Sequence, residues 1–351
     1  MKARSAETLM KENMLVKHLA GSRAYGTSLP TSDVDYRGIF AADPINIMTP
    51  FFTVRESSDN EEEDTKLYEL THFMKLCVDC NPNIIETLWV DEMDIVTQTE
   101  AYRFLRQHKH ELLSSKIAFT TSGYAIAQLK RIKGHNKWIN NPQKEEPPRQ
   151  TDYLSLVQYF GDDRVLTLNA YQYEEDYRLV PYGGNIFGVH AAPGYRLFSD
   201  DFTLNTAFDE KARHEMGYPL MIVKFNDREY QLAKEKHKQY WSWKNNRNQA
   251  RGELEEQHGY DTKHAMHLVR LLRMGKEALE EGVIHVKRHD ARELLDIRNG
   301  AWSYEECVEY AEEMDKLIRE KLYKETELPK RPNLHRAGEI LMETQRLVWE
   351  K

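Results

Sequence analysis

The stretch GSRAYGTSLPTSDVDYRGIF, Gly21 to Phe40, decides how the chain is read. Just before it, Leu15 to Ala20 (LVKHLA) is a short, largely apolar run with the length of a buried strand, which Gly21 and Ser22 would end in a tight turn. Lacking a Cβ, Gly21 lets backbone N–H groups approach a phosphate closely, and the Ser22 hydroxyl adds a donor to the same cradle. Asp33 and Asp35 follow, one residue apart. If Val34 to Ala41 is a strand, alternate side chains share a face, so the two carboxylates project side by side toward the turn. Such oxygen ligands suit Mg²⁺ together with substrate phosphates, and two ions roughly 3.5–4 Å apart clamp the attacking and leaving oxygens of a displacement. Gly-Ser alone is a common turn and Asp-x-Asp alone a common loop pair. In this order, between two strands, they point to nucleotidyl transfer.

Gly21-Ser22 followed by Asp33-x-Asp35 resembles the signature of the polymerase β-like nucleotidyltransferase superfamily. The full stretch resembles its RNA ligase-associated subgroup, which has many members in bacteria and their viruses. ELTHFMKLCVDCNPNIIETLW (Glu69 to Trp89), GYDTKHAMHLVRLLRMGKEALEEG (Gly259 to Gly282) and ELLDIRNGAWSYEE (Glu293 to Glu306) extend the likeness to both ends of the chain. It implies an α+β catalytic core with a small mixed sheet and flanking helices, here followed by a mixed insert and a mostly helical C-terminal region. It also implies that an NTP is attacked by an acceptor hydroxyl, with release of pyrophosphate.

The resemblance further implies a third carboxylate on the next strand, for which DTKLYEL (Asp64 to Leu70) offers Asp64 and Glu69. Period-two geometry puts Asp64, Lys66 and Tyr68 on one face and Thr65, Leu67 and Glu69 on the other, so only one of the two acids can serve. Asp64 is favoured, because the family's third acid tends to come early in this strand and Leu67 suits a packed face. It would complete the metal site or act as general base, and a solvated strand-end charge is the plain alternative. Arg23 and Tyr25, within the motif, are candidates to touch the nucleotide, with plain packing as the alternative for Tyr25. Lys263, His267 and Arg270 lie at i, i+4 and i+7, on one face of a helix that Asp261 or Thr262 can cap. Three cationic or proton-bearing groups on a packed helix are costly unless an anion lies opposite; in a nucleotidyltransferase the obvious anion is the triphosphate, with Lys263 as its ligand and His267 and Arg270 as supporting contacts, while a salt-bridge network on the helix surface is the plain alternative. Mg²⁺, with Mn²⁺ as a substitute, is the expected cofactor.

Composition sets limits. The chain has 351 residues, 40% of them hydrophobic, and can bury a sizeable core in two domains or in one with a large appendage. The sequence divides into a catalytic core at 1–97, a helical segment with a mixed insert at 98–226, and a helical region at 227–351. A net charge of −8 gives no global nucleic-acid footprint, so an RNA acceptor would need a local basic patch. Lys130, Arg131, Lys133, His135 and Lys137 with Trp138 form one candidate patch, and Lys236, Lys238, Lys244, Arg247 and Arg251 around Tyr240, Trp241 and Trp243 another. Both also read as ordinary solvated helix faces. Cys77, Cys80 and Cys307 cannot build a disulfide framework and suggest a reducing cytoplasm. No apolar run reaches membrane-spanning length, and no signal-like segment opens the chain.

Several local readings accompany these. Thr71 caps the helix over HFMKLCVDC, Glu86 is a helix N-terminal charge or a support for the metal ligands, and Ser57 to Asp64 is a solvated loop. Tyr153 to Phe160 is a short helical run, Gly183-Gly184 and Gly194 are turns, Asn140 to Gln150 is a linker, and Asp227 to Arg251 is one long helix. An RNA end is the acceptor that the family name suggests, with a protein hydroxyl or a small molecule as alternatives. A nucleotide-binding sensor that has lost catalysis is the reading from a different class.

Overall fold

β1 (Met14–Leu19) forms where Leu15 and Val16 turn apolar side chains inward, after a short helix α1 (Ala6–Glu12) that Ser5 caps through Thr8 N. A five-residue helix, α2 (Gly21–Tyr25), begins at once, so Gly21 and Ser22 open a helix as well as ending a strand. β2 (Asp35–Phe40) runs back antiparallel to β1, and Asp33 lies just before it. After α3 (Pro44–Met48), the hairpin β3 (Glu56–Asp59) and β4 (Asp64–Glu69) places β4 parallel to β2. α4 (Leu70–Val78), α5 (Pro82–Ile85), a 3₁₀ turn at Glu86–Leu88 and β5 (Ile95–Gln98) complete a mixed five-stranded sheet of order β3-β4-β2-β1-β5. The structure is a computed structural model that describes residues 4–59, 64–160, 175–206, 217–246 and 249–350, the side chains of 249–251 excepted.

α6 (Glu100–Gln107), capped by Thr99, leads through α7 (Lys109–Leu112) into the long α8 (Ile117–Asn140). A second antiparallel sheet, order β6-β9-β8-β7, consists of β6 (Leu154–Tyr159), β7 (Glu175–Gly183), β8 (Ile186–Arg196) and β9 (Met221–Phe225), followed by α9 (Asp227–Asn246). α10 (Gln249–His258), α11 (Thr262–Glu281), α12 (Ala291–Arg298), α13 (Tyr304–Lys316), a π-helical stretch (Leu317–Leu322), α14 (Tyr323–Glu325) and α15 (Leu334–Trp349) make up the helical C-terminal region. The architecture is α+β, as the sequence implies.

Packing divides the chain into one unit of Met1–Asn140 with Gln249–Lys351 and a second of Asn141–Asn248. The boundaries read from the sequence at 97 and 226 therefore fall inside these units, because a division by composition cannot see that α11 packs against α8 across more than a hundred residues. In the first unit, α4, α6, α8 and α11 share one apolar core with the sheet: Phe73, Tyr102, Ile117, Leu268 and Leu272 are all essentially inaccessible. The second unit has its own core around Leu179, Val189, Met221 and Val223.

Several local expectations are corrected. Tyr153 to Phe160 is chiefly strand β6, since LSLVQY pairs with β9. Part of the acidic loop, Glu56–Asp59, is edge strand β3, while 60–63 lie outside the described residues. Gly184 and Asn185, both at positive φ, form the two-residue turn between β7 and β8, whereas Gly194 lies within β8, its N–H bonded to Asp176. Glu69, rather than Thr71, caps α4, accepting from Thr71 N and His72 N. The long polar helix is α9 and then α10, with 247–248 and the Arg251 side chain outside the described residues. No described helix is long and apolar enough to cross a membrane.

Candidate active site

The site begins with a contact that only glycine permits. Gly21 has φ +58°, and a Cβ built on it would lie 2.7 Å from Asp35 Oδ2. The carboxylate thus occupies the space that a side chain at 21 would fill, so the first residue of α2 and the first residue of β2 meet. The strand ends are tied by Ala20 N donating to Asp35 O at 2.8 Å, and α2 closes on Gly26, left-handed at φ +75°. Tyr25 O accepts from Arg288 N at 3.1 Å, which anchors the turn to the loop after α11.

Asp64 pairs directly with Asp35 in the parallel β2/β4 register. Burial and the neighbouring Asp64 carboxylate push the Asp35 carboxyl up; Arg37 and Lys263 act against this and Asp33 adds to it. The sequence-predicted Asp33, Asp35, Asp64 and Lys263 are therefore electrostatic neighbours, although they come from three parts of the chain. Glu69 lies at the other end of β4, 3% exposed and engaged in capping α4. The three aspartates offer only carboxylate oxygens, and such a group, with Asp35 set against Gly21, suits a hard divalent cation in charge and donor type.

Lys263 is exposed on the first turn of α11, His267 half-buried one turn on, and Arg270 buried. Asp261 is the cap, accepting from His264 N at 3.0 Å. Arg23 lies on α2 and donates to Ser32 O at 3.2 Å. Tyr25 and Arg270 come together differently from the expectation of nucleotide contact: both are 4% exposed, with the Arg270 guanidinium 3.8 Å from the Tyr25 ring centre.

Two side chains acquire a place that sequence reading did not give them. Glu86 is 3% exposed and accepts from Tyr25 Oη at 2.9 and 3.0 Å and from Arg37 Nη1 at 3.1 Å, so it is the centre of a buried network more than a helix-terminal charge. Arg37 was missed altogether, and its signal is simple: it stands two residues after Asp35, on the same face of the strand. A separate group of ligand-type side chains, His135, Glu255 and Asp261, has donor atoms within 4.8 Å of one another, with His135 Nδ1 3.1 Å from Asp261 Oδ2. It joins α8, α10 and the cap of α11.

Of the two basic patches, the one on α8 is partly engaged: Lys133 pairs with Glu312 at 3.5 Å and His135 with Asp261. On α9, Tyr240 is buried, while Trp241 is half-buried and donates to Lys144 O at 2.9 Å. Cys77, Cys80 and Cys307 are buried thiols, with burial pushing each one up, which fits packing.

Residues 4–146 match the family described as the RNA repair pathway DNA polymerase beta family. An uncharacterized 38.9 kDa protein from the nrdC-mobD intergenic region of Enterobacteria phage T4 is similar, 28% identical over 133 residues. That similarity covers 34% of this chain and 39% of the phage protein, so the chain spans about two fifths of this relative's length. No solved structure matches.

Proposed function

Since residues 4–146 match the RNA repair pathway DNA polymerase beta family, we propose that this chain is a nucleotidyltransferase that moves an NMP from an NTP to an acceptor hydroxyl. The observation that carries the reading is the seating of Asp35 against Gly21 beside Asp64, with Asp33 and Lys263 in electrostatic reach. The family description makes an RNA end the favoured acceptor.

In this mechanism, the first turn of α2 receives the β and γ phosphates. The first N–H groups of an α-helix have no partner within it, and Gly21 and Ser22 present theirs next to the Ser22 hydroxyl. Arg23, on the same turn, and Lys263, at the start of α11, bring positive charge to the triphosphate. Asp33, Asp35 and Asp64 would hold Mg²⁺, or Mn²⁺ in its place, which when bound supplies charge neutralisation at the reacting phosphate and acidifies an oxygen ligand. The acceptor oxygen forms a bond to the α phosphorus as the bond from that phosphorus to the bridging oxygen breaks. Pyrophosphate leaves with the bridging oxygen, and the acceptor proton passes to Asp64, which is exposed and pairs with Asp35 in the β2/β4 register. His267 supports the phosphate side from α11, one turn after Lys263. Three buried free thiols suit the cytoplasm as the place of action.

The test is to incubate the protein and its Asp33→Ala/Asp35→Ala variant with each α-labelled NTP, Mg²⁺, and a panel of short RNAs, cell RNA and cell protein. Label moved only by the unaltered protein is expected, with a loss of at least ~10³-fold in the variant and an unchanged circular-dichroism spectrum. Equal labelling by both proteins would sink the mechanism. NTP binding without transfer to any acceptor would shift the reading to a nucleotide sensor.

A further inference from the structure

Among the elements that carry residues assigned to nucleotide and metal are α2 with Gly21 and Ser22, β2 with Asp35, and α11 with Lys263. One side chain faces a second residue of each. Glu86 accepts from Tyr25 on α2, forms an ion pair with Arg37 on β2 at 3.1 Å, and faces Arg270 Nη1 on α11 at 3.9 Å. Arg37 also donates to Asn83 O at 3.0 Å, which ties β2 to α5, the element just before Glu86. The carboxylate is 3% exposed, and the Nε of Arg270 is buried with no hydrogen-bond partner among the described residues.

We infer that Glu86 is a positioning residue for the proposed transfer site, acting through Tyr25, Arg37 and Arg270 to fix α2, β2 and α11 relative to one another. The inference rests on the functional reading above. Its physical basis is that one buried carboxylate accepts from a phenol and one guanidinium and faces the charge of a second guanidinium, so that three elements meet at one group. Moving any of the three elements leaves a buried charge or hydroxyl without its partner. The network also holds two positive charges against one negative, and one of the two, Arg37, stands two residues from Asp35 on the same face of β2. A neutral amide at 86 keeps the shape but presents an N–H₂ to one of the donors, so the brace loosens without opening a cavity.

The experiment compares the full chain with Glu86→Gln, Tyr25→Phe and both together, using Asp35→Asn as the control for loss of the cation site. Three quantities are read: unfolding temperature, Mn²⁺ binding without nucleotide by electron paramagnetic resonance, and label transfer across a Mg²⁺ titration. Glu86→Gln is expected to weaken Mn²⁺ binding and to lower transfer by about 10–100-fold, the range seen when groups that orient metal ligands are removed. Tyr25→Phe should act in the same direction by a smaller factor, and the double variant should fall short of the product of the two. A purely structural role would lower the unfolding temperature while leaving Mn²⁺ affinity and transfer per folded molecule at the unaltered level, and that result overturns the inference. If Glu86→Gln does not fold, Tyr25→Phe decides by the same readouts. Should the unaltered protein bind Mn²⁺ and lose that binding in Glu86→Gln yet label no acceptor, the functional reading fails and the positioning role stands. If it neither binds Mn²⁺ nor transfers label, both fall.

Discussion

His18 on β1 is 2% exposed, with Nδ1 2.7 Å from Leu19 O and Nε2 3.2 Å from Thr87 Oγ1. Nδ1–H therefore donates to the carbonyl and Nε2 accepts from the hydroxyl, an arrangement that needs the neutral ring. Burial holds the imidazole down to about 4, against an ordinary 6.5; the carbonyl of Leu19 opposes this, and the charges of Arg37 and Arg106 reinforce it. Unfolded, His18 takes up a proton near pH 6.5; folded, it resists until about pH 4. The unfolded chain binds more protons in that window, so His18 contributes stability above pH 6.5 that is lost as the pH falls toward 4, about 3 kcal/mol in all. Urea titrations at pH 7.5, 6 and 4.5 should show His18→Gln less stable at pH 7.5 but losing less on acidification than the unaltered protein; parallel losses would exclude the assignment. His18 had no signal in the sequence beyond an apolar run, because its partner Thr87 comes from a distant turn. Gly21, Asp33 and Asp35 were legible, since their chemistry is written within fifteen residues. Glu86 was legible only as a charge, as its three partners lie 61, 49 and 184 positions away.

At the scale of elements, β2 depends on a close approach to β1. The register shifts between Met14 and Val16, and just beyond that shift Val16 O lies over Gly38, where a Cβ would lie 1.9 Å from that oxygen and 3.2 Å from Lys17 Cα. Both are backbone atoms in the middle of the sheet and cannot yield as a side chain would. Gly38→Ala should therefore cost at least the roughly 1–3 kcal/mol of an overpacked core, and because Asp35 begins the same strand, transfer should fall in the molecules that still fold. Thermal unfolding checks this, and an unchanged midpoint would show that the strands part without cost. The other strands show where pattern reading stops. β4 was plain from its alternation, Thr65, Leu67 and Glu69 inward. β3 (ESSD) was hidden, because a polar edge strand needs no apolar face. In β6, Leu154, Leu156, Val157 and Tyr159 fit a short helix as well as a strand, and only pairing with β9, some sixty residues on, decides between them.

Over the whole molecule, charge and division into units bear on the acceptor. The second unit, Asn141–Asn248, interrupts the first, and the linker read at Asn140 to Gln150 begins where that unit does; its far boundary was not legible, because α10 follows α9 closely while packing with α11 in the first unit. The chain carries 57 acidic against 49 basic side chains, and part of the α8 patch is committed to Glu312 and Asp261. A long RNA held by many phosphate contacts would meet net repulsion, whereas an RNA end needs only the few cations near the proposed triphosphate site. For a single strand the slope of log K against log salt is about −0.7 per phosphate neutralised, so engagement of two or three phosphates gives about −1.4 to −2. Fluorescence anisotropy of an end-labelled RNA across a KCl series should yield a slope in that range, little changed as the strand is lengthened beyond its terminal nucleotides. A steep slope that grows with length would instead point to a groove along the strand. The lysines of α9 beside Trp241, including Lys236, Lys238 and Lys244, would then be the first residues to neutralise, each Lys→Gln change lowering the slope by about 0.7 if it contacts a phosphate.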